Sequence, residues 1–180
     1  MRRVSVVGSA GSGKSTFARR LASHLDIRHV ELDALYWGPQ WTPRPREEFL
    51  ADAERAVAGD AWVIDGNYSS LRPAVWARAD TVVWLDLPTP LVITRVYRRT
   101  LLQAVDRTEL WPGTGNRQRW RDVFAPWSND SIVRWSWDQQ KRYGRRYETA
   151  MTDPANDHLT IHRLRSRRHV DAFFGRTWQR

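Results

Sequence analysis

The residues best suited to chemistry in this chain lie together near its N-terminus. Positions 8 to 15 read Gly-Ser-Ala-Gly-Ser-Gly-Lys-Ser and match the pattern G-x-x-x-x-G-K-[ST] at every position. In that pattern the glycines let backbone N–H groups turn toward phosphate oxygens, the lysine reaches the β- and γ-phosphates, and the last hydroxyl binds Mg²⁺. The sequence therefore predicts a site for ATP and Mg²⁺. The predicted residues are Gly8, Ser9, Ala10, Gly11, Ser12, Gly13, Lys14, Ser15 and Thr16, and Lys14 is also predicted to be catalytic.

Two arginines form a second candidate group. Arg95 and Arg99 are four residues apart in a predicted helix, so they project from the same face. Two guanidinium groups together make a planar, donor-rich clamp for phosphate oxygens, and phosphoryl transfer depends mainly on such positioning and charge. A solvated basic helix face would give the same pattern. We interpret the pair as catalytic.

Two aspartates follow predicted strands. Asp65 ends an apolar run, where its carboxylate can hold Mg²⁺ together with Ser15. Asp33 lies at the carboxyl end of a strand, where ligands bind in open α/β sheets, and it can orient or deprotonate an acceptor hydroxyl. A cap at a turn or strand end is the alternative role for both residues.

Aromatic side chains surround the predicted acceptor site. The predicted substrate-binding residues are Asp33, Tyr36, Trp37, Asp65 and Arg72. The chain has 11 tryptophans, and those from Trp111 to Trp137 are interleaved with arginines. Such tryptophans can stack on nucleic-acid bases, or they can pack a lid or clamp a ring-bearing substrate.

The hydrophobic pattern predicts the elements that must position these residues. Apolar runs at 3–7, 27–32, 61–65 and 81–86 predict four strands, and runs of this kind are typical of parallel strands covered on both faces. Residues 159–164 supply a fifth predicted strand. Helical periodicity falls at 15–25, 47–57, 91–102, 131–150 and 168–174, with proline-rich loops at 34–45 and 104–129. We therefore predict a three-layer α/β fold of the P-loop NTPase type, with a five-stranded parallel sheet. It forms a single domain over 1–180, with an acceptor-binding segment at 34–60 and an inserted lid at about 104–130.

Composition and charge indicate which partners and which cellular location to expect. The net charge is +9, the chain has no cysteine, and it contains only two lysines, at positions 14 and 141. No apolar run approaches the ~20 residues of a membrane span, so we expect no membrane partner. ATP chemistry, together with a first strand that leads at once into the phosphate loop and leaves no room for a secretory signal, predicts a cytoplasmic location. The basic excess falls after residue 94, where it can surround a triphosphate or meet nucleic acid.

With these motifs the chain resembles the adenylate-kinase-like branch of P-loop kinases, in particular bacterial proteins known as DNA topology modulation proteins or putative adenylate kinases. Beyond the phosphate loop, the resemblance rests on Asp65-Gly66, on Leu85-Asp86-Leu87-Pro88 followed by Arg95 and Arg99, and on the loop from Leu164 to Arg168. It implies that the two arginines close over ATP at the lid hinge and that the last loop covers the adenine.

The acceptor side departs from adenylate kinase. The positions of the arginines that grip AMP in those enzymes hold Tyr36 or Trp37 and Ser69 here. Shikimate and gluconate kinases, relatives of the same branch, place an acid near the position of Asp33. We therefore expect a kinase of the nucleoside-monophosphate-kinase-like type, acting on a nucleoside, nucleotide or other hydroxylated metabolite as a monomer or homodimer. The alternative is a nucleic-acid-associated ATPase that influences DNA topology.

Overall fold

The computed structural model describes residues 1–124 and 131–177. Five strands form one sheet in the order β2-β3-β1-β4-β5, and every pair is parallel. The strands are β1 (Arg3–Gly8), β2 (Arg28–Glu31), β3 (Trp62–Asp65), β4 (Thr81–Leu85) and β5 (Thr160–Leu164). This architecture confirms the predicted α/β fold of the P-loop NTPase type.

Helices connect the strands. They are α1 (Lys14–Leu25), α2 (Leu32–Tyr36), α3 (Arg46–Val57), α4 (Arg72–Arg78), α5 (Thr89–Val105), α6 (Trp120–Phe124), α7 (Ile132–Met151) and α8 (Arg167–Thr177). Short 3-10 turns lie at Pro39–Trp41 and Pro154–Asn156.

The sheet is covered on both faces, which explains the buried and mostly apolar central strands β1, β3 and β4, while the edge strands β2 and β5 keep polar residues. Val4 and Val6 pack with helices α1 and α8, where Phe17 and Phe174 are buried. The opposite face packs with α3, α4 and α7, and its buried residues include Val7, Trp62, Val75, Trp84 and Tyr147. The two layers fix the carboxyl ends of β1, β2 and β3 at one edge of the sheet.

The segments between strands differ from the predictions in three places. The predicted loop 34–45 overlaps helix α2 and contains the turn Pro39–Trp41. Helix α4 was missed because its seven residues bury only Val75 and Trp76, too few for a visible period. The predicted lid 104–130 contains the short helix α6, and its residues 125–130 lie outside the described part of the chain.

The helices give no sign of a membrane span. Within residues 1–124 and 131–177, none combines the length and the apolar character that crossing a bilayer requires.

Candidate active site

The phosphate loop joins the end of β1 to the start of α1 and rests against α5. Gly11 has a φ of +83°, and a Cβ at this position would lie 2.4 Å from Val96 Cγ2 and 2.6 Å from the Val92 carbonyl oxygen. Gly13 also has a positive φ, +88°, but a Cβ there would meet open space apart from Arg95 Nη1 at 3.9 Å. Only glycine therefore fits at Gly11, and contact with α5 fixes the position of the loop.

Two hydroxyls of this loop are buried without a partner. Ser9 and Ser12 are nearly inaccessible, and their Oγ atoms make no hydrogen bond to the described residues. Buried polar groups normally have a partner, so an unpaired pair inside one loop points to a ligand. Phosphate oxygens fit these hydroxyls, and Lys14 lies at the N-terminus of α1, where the helix dipole also favours an anion. The loop fits the triphosphate of ATP.

The predicted magnesium residues are brought together. Ser15 Oγ donates a hydrogen bond of 2.6 Å to Asp65 Oδ2, and Asp65 is 1% exposed. His29 Nε2 lies 2.8 Å from the other oxygen, Asp65 Oδ1. A hydroxyl and a carboxylate are the hard oxygen ligands that Mg²⁺ prefers, so the pair fits that ion. His29 fixes the orientation of the carboxylate.

The turn after β3 ties this region to the phosphate loop. Asn67 Nδ2 donates to the Gly8 carbonyl oxygen at 2.6 Å, and the Gly8 N–H donates to Asn67 Oδ1 at 3.2 Å. Tyr147 of α7 donates to the same Oδ1 at 2.9 Å. Residue 66 has a φ of +148°, and a Cβ there would lie 2.7 Å from Leu32 Cβ, which explains the glycine. The turn thus holds β1, β3 and α7 in one arrangement.

Asp33 lies close to the predicted position but not in a strand. Strand β2 ends at Glu31, and Asp33 stands in the first turn of α2. Tyr68 Oη donates to Asp33 Oδ1 at 2.7 Å, which fixes the carboxylate. Burial and the nearby Asp33 carboxylate raise the pKa of Tyr68 well above its usual value, so Tyr68 remains a donor at any physiological pH.

The two predicted arginines share a face of α5 but reach different groups. Arg95 lies beside Gly13 in the phosphate loop. Desolvation by the surrounding protein lowers the pKa of the Arg99 guanidinium, while the Asp33 and Glu31 carboxylates raise it. Arg99 therefore lies within electrostatic range of the carboxylates that follow and end β2.

Glu31 is a site residue that the sequence did not reveal. Burial raises the pKa of its carboxyl group, and the Asp65 and Asp33 carboxylates raise it further. Trp111 Nε1 lies 3.3 Å from Glu31 Oε1 and donates to it. Three carboxylates thus gather at the ends of β2 and β3.

Aromatic rings pack together beside Tyr68, the residue that holds Asp33. Tyr36 contacts Trp37 and Tyr68 with ring centroids 4.9 and 4.8 Å apart, and Trp41 contacts Trp37 at 5.7 Å. The Arg72 guanidinium stands 5.7 Å from the Trp76 ring, and Arg72 lines a cavity together with Tyr68. The structure therefore groups Tyr36 and Trp37 with Asp33, and Arg72 shares a cavity with Tyr68, the residue that holds Asp33.

Arg44, another cation of the acceptor-binding segment, is neutralised. Its Nη1 lies 2.6 Å from Asp52 Oδ2 and its Nη2 lies 3.0 Å from Glu48 Oε2. Arg44 is thus a structural residue that fastens α3 to the segment after α2.

Comparison with known proteins gives a partial match. No family model matches the chain. A shikimate kinase from Nitrobacter winogradskyi is 32% identical over an alignment of 123 residues, and the match covers 58% of this chain and 58% of that enzyme's length. A gluconokinase structure from Sinorhizobium meliloti 1021 overlaps with a TM-score of 0.41 at 20% identity, covering 83% of this chain and 97% of that one, and an overlap of this quality carries no argument about the reaction. The chain is thus similar, over somewhat more than half its length, to a kinase with a small-molecule substrate.

Proposed function

We propose that this protein is an ATP-dependent phosphotransferase that moves the γ-phosphoryl group to a hydroxyl of a small molecule. One observation carries the proposal: Asp65, which accepts from Ser15 next to the phosphate loop, and Asp33, which Tyr68 holds in place, lie at the carboxyl ends of the neighbouring strands β3 and β2. The similarity to a shikimate kinase supports a small-molecule acceptor. We place the reaction in the cytoplasm.

Each side chain has a role in this reaction. Asp33 Oδ1 accepts the Tyr68 hydroxyl, so Oδ2 is the oxygen assigned to the acceptor. The acceptor oxygen attacks the γ-phosphorus and gives its proton to Asp33, the bond from the γ-phosphorus to the β–γ bridging oxygen breaks, and ADP leaves. Lys14, Arg95 and Arg99 offset the charge on the phosphates. Bound Mg²⁺, held by Ser15 and Asp65, supplies further charge neutralisation.

A screen for ADP release tests this proposal. Purified protein with Mg-ATP is assayed against nucleosides, nucleoside monophosphates, sugars and small hydroxy acids. We expect one acceptor class to stimulate ADP release, and Lys14→Ala to reduce the stimulated rate by about 100-fold or more. Arg19→Ala, an exposed cation on the same helix, is the matched control and keeps the wild-type rate. Absence of Mg-ATP binding by calorimetry would rule the function out.

A nucleic-acid-associated ATPase is the second candidate. Trp120 and Phe124 are 45% and 81% exposed on the basic half of the chain, and exposed aromatic residues among arginines suit base stacking. Titration with single-stranded DNA at rising salt distinguishes the two functions. Tight binding that weakens steeply with salt and stimulates ADP release favours this candidate, whereas dependence on a small acceptor favours the kinase.

A further inference from the structure

The connection between α5 and α6 contains an ordered hairpin, residues 109–117. Glu109 and Arg117 form an antiparallel bridge, and the Leu110 N–H donates to the Asn116 carbonyl oxygen at 2.7 Å. The Gly115 N–H donates to Glu109 Oε1 at 2.8 Å. The hairpin therefore has internal structure of its own within the predicted lid.

This hairpin is bound to the acceptor-binding segment through the Asn116 side chain. The Trp41 N–H donates to Asn116 Oδ1 at 2.8 Å, and Asn116 Nδ2 donates to the Gly38 carbonyl oxygen at 2.9 Å. Asn116 is 1% exposed, so water competes little for either hydrogen bond. The Asn116 side-chain amide thus pairs with one backbone N–H and one backbone carbonyl oxygen of the bend at residues 38–41.

Trp111 makes the second connection. Its indole N–H donates to Glu31 Oε1, and its ring meets the Trp41 ring edge-on, with centroids 5.7 Å apart. Burial, together with the Asp65 and Asp33 carboxylates, raises the pKa of Glu31, and the indole N–H opposes that rise. Trp111 therefore joins the group of carboxylates to which Asp33 belongs.

Both tryptophans have strained backbones. Trp41 has a φ of +58° and Trp111 a φ of +62°, in the left-handed region that bulky residues avoid at a cost of about 1–2 kcal/mol each. Such conformations persist where the surroundings over-determine them, and they cluster at ligand clamps. Here the two strained residues contact each other through their rings.

We propose that the hairpin 109–117 completes the acceptor site. Trp111 forms a wall of the site beside Glu31, and Asn116 is the positioning residue that holds this wall on the acceptor-binding segment. The inference rests on the proposed function, because it takes the cleft at Asp33 as the acceptor site. With the hairpin in place, the small-molecule hydroxyl has access to the γ-phosphate and bulk water is excluded.

Hydrogen exchange at the Trp41 amide tests the contact directly, because this N–H donates to Asn116. We expect Asn116→Ala to accelerate hydrogen exchange at the Trp41 amide about tenfold or more, because the substitution removes the one hydrogen bond that this N–H donates to Asn116. Asn156→Ala is the matched control, since the Asn156 side chain donates to the Ala150 carbonyl oxygen, in a turn before β5. It leaves exchange at Trp41 unchanged. Equal exchange in Asn116→Ala and wild type would overturn the proposal.

The second readout is ADP release with Mg-ATP and water as the only acceptor. We expect Asn116→Ala and Trp111→Ala to raise this rate about fivefold, because water gains access to the γ-phosphate. Mg-ATP affinity stays within about twofold of wild type, since the phosphate loop rests on α5 and not on the hairpin. Faster hydrogen exchange at Trp41 with an unchanged rate of ADP release would show that the hairpin contact has only a structural role, and it would refute the proposal.

The outcomes separate this proposal from the proposed function. If a small acceptor stimulates ADP release but Asn116→Ala matches the wild type in exchange and in ADP release, the proposed role of the hairpin is wrong and the kinase function stands. If the wild type binds no Mg-ATP, the kinase function fails, and the acceptor site proposed for the hairpin fails with it.

Discussion

At the scale of residues, the candidate site is a set of carboxylates, each oriented by a hydrogen-bonded side chain. Asp65 is held by Ser15 and His29, and Asp33 is held by Tyr68. Each hydrogen bond fixes the plane of its carboxylate and occupies one of the acceptor positions of that group. The partners therefore determine where Mg²⁺ and the acceptor hydroxyl can lie.

The pair at Asp33 gives the first prediction. Asp33→Asn removes the proton acceptor, so the rate with the acceptor found by screening falls about 100-fold or more. Tyr68→Phe leaves the carboxylate but frees its orientation, and costs about tenfold in kcat with little change in KM for ATP. Steady-state kinetics with both substrates varied measures these effects.

Tyr36→Phe is the control for Tyr68→Phe. Tyr36 contacts Tyr68 through its ring, so the substitution keeps the packing and removes only a hydroxyl. A loss equal to that of Tyr68→Phe would show that the hydrogen bond to Asp33 is not the cause.

At the scale of elements, the phosphate loop depends on α5. Helix α5 supplies the surface beneath Gly11 and carries Arg95 beside Gly13, so loop and arginine share one support. The same helix places Arg99 near Asp33 and Glu31. The phosphate and acceptor ends of the cleft are thus set by a single rigid element.

A pair of glycine substitutions tests this dependence. Both positions have positive φ, so alanine at either costs about 1 kcal/mol in backbone conformation. Gly11→Ala additionally drives a methyl group into α5 and should destabilise the fold by at least about 2 kcal/mol more than Gly13→Ala. Urea unfolding measures both variants. Equal losses of stability would contradict the close contact with α5.

At the scale of the whole molecule, the two ends of the sheet differ in role: one carries the candidate site and the other stabilises the fold. The carboxyl ends of the strands carry the site, while the amino ends are joined by Asp80. Its Oδ2 accepts the N–H groups of Arg2 and Arg3, both at 2.9 Å, and its Oδ1 accepts Thr81 Oγ1 at 2.7 Å. The Thr160 N–H donates to the Asp80 carbonyl oxygen. One residue thus connects β1, β4 and β5.

Asp80 predicts how stability depends on pH. Burial raises the pKa of its carboxyl group, but the hydrogen bonds from Thr81, Arg3 and Arg2 outweigh that effect and hold the pKa below its usual value. The folded state then binds the proton less readily than the unfolded state. The stabilisation is therefore present above the unfolded pKa of about 3.9 and is lost as the pH falls through the folded pKa.

The substitution Asp80→Asn isolates this contribution. We expect it to lower the free energy of unfolding by about 2 kcal/mol at pH 7, with the difference from wild type shrinking below about pH 4. Asp60→Asn, an exposed carboxylate before β3, is the control and changes stability little. Denaturant unfolding across pH measures both. A difference that persists unchanged at low pH would exclude the carboxylate as its cause.

The sequence by itself determined the phosphate loop and the five strands. The loop motif is local, because each of its residues acts within a few positions of the next, and the central strands, buried on both faces, are mostly apolar. Helices α2 and α4 were missed because they are too short to show a period.

Only the tertiary structure decided which side chains meet in the cleft. Ser15 and Asp65 are 50 residues apart, Tyr68 and Asp33 35, and Trp111 and Glu31 80. The strand order β2-β3-β1 brings the first two pairs together, and the docked hairpin brings the third. These contacts follow from which strands are neighbours and where a connection folds back, and neither is encoded in the local pattern of the residues involved.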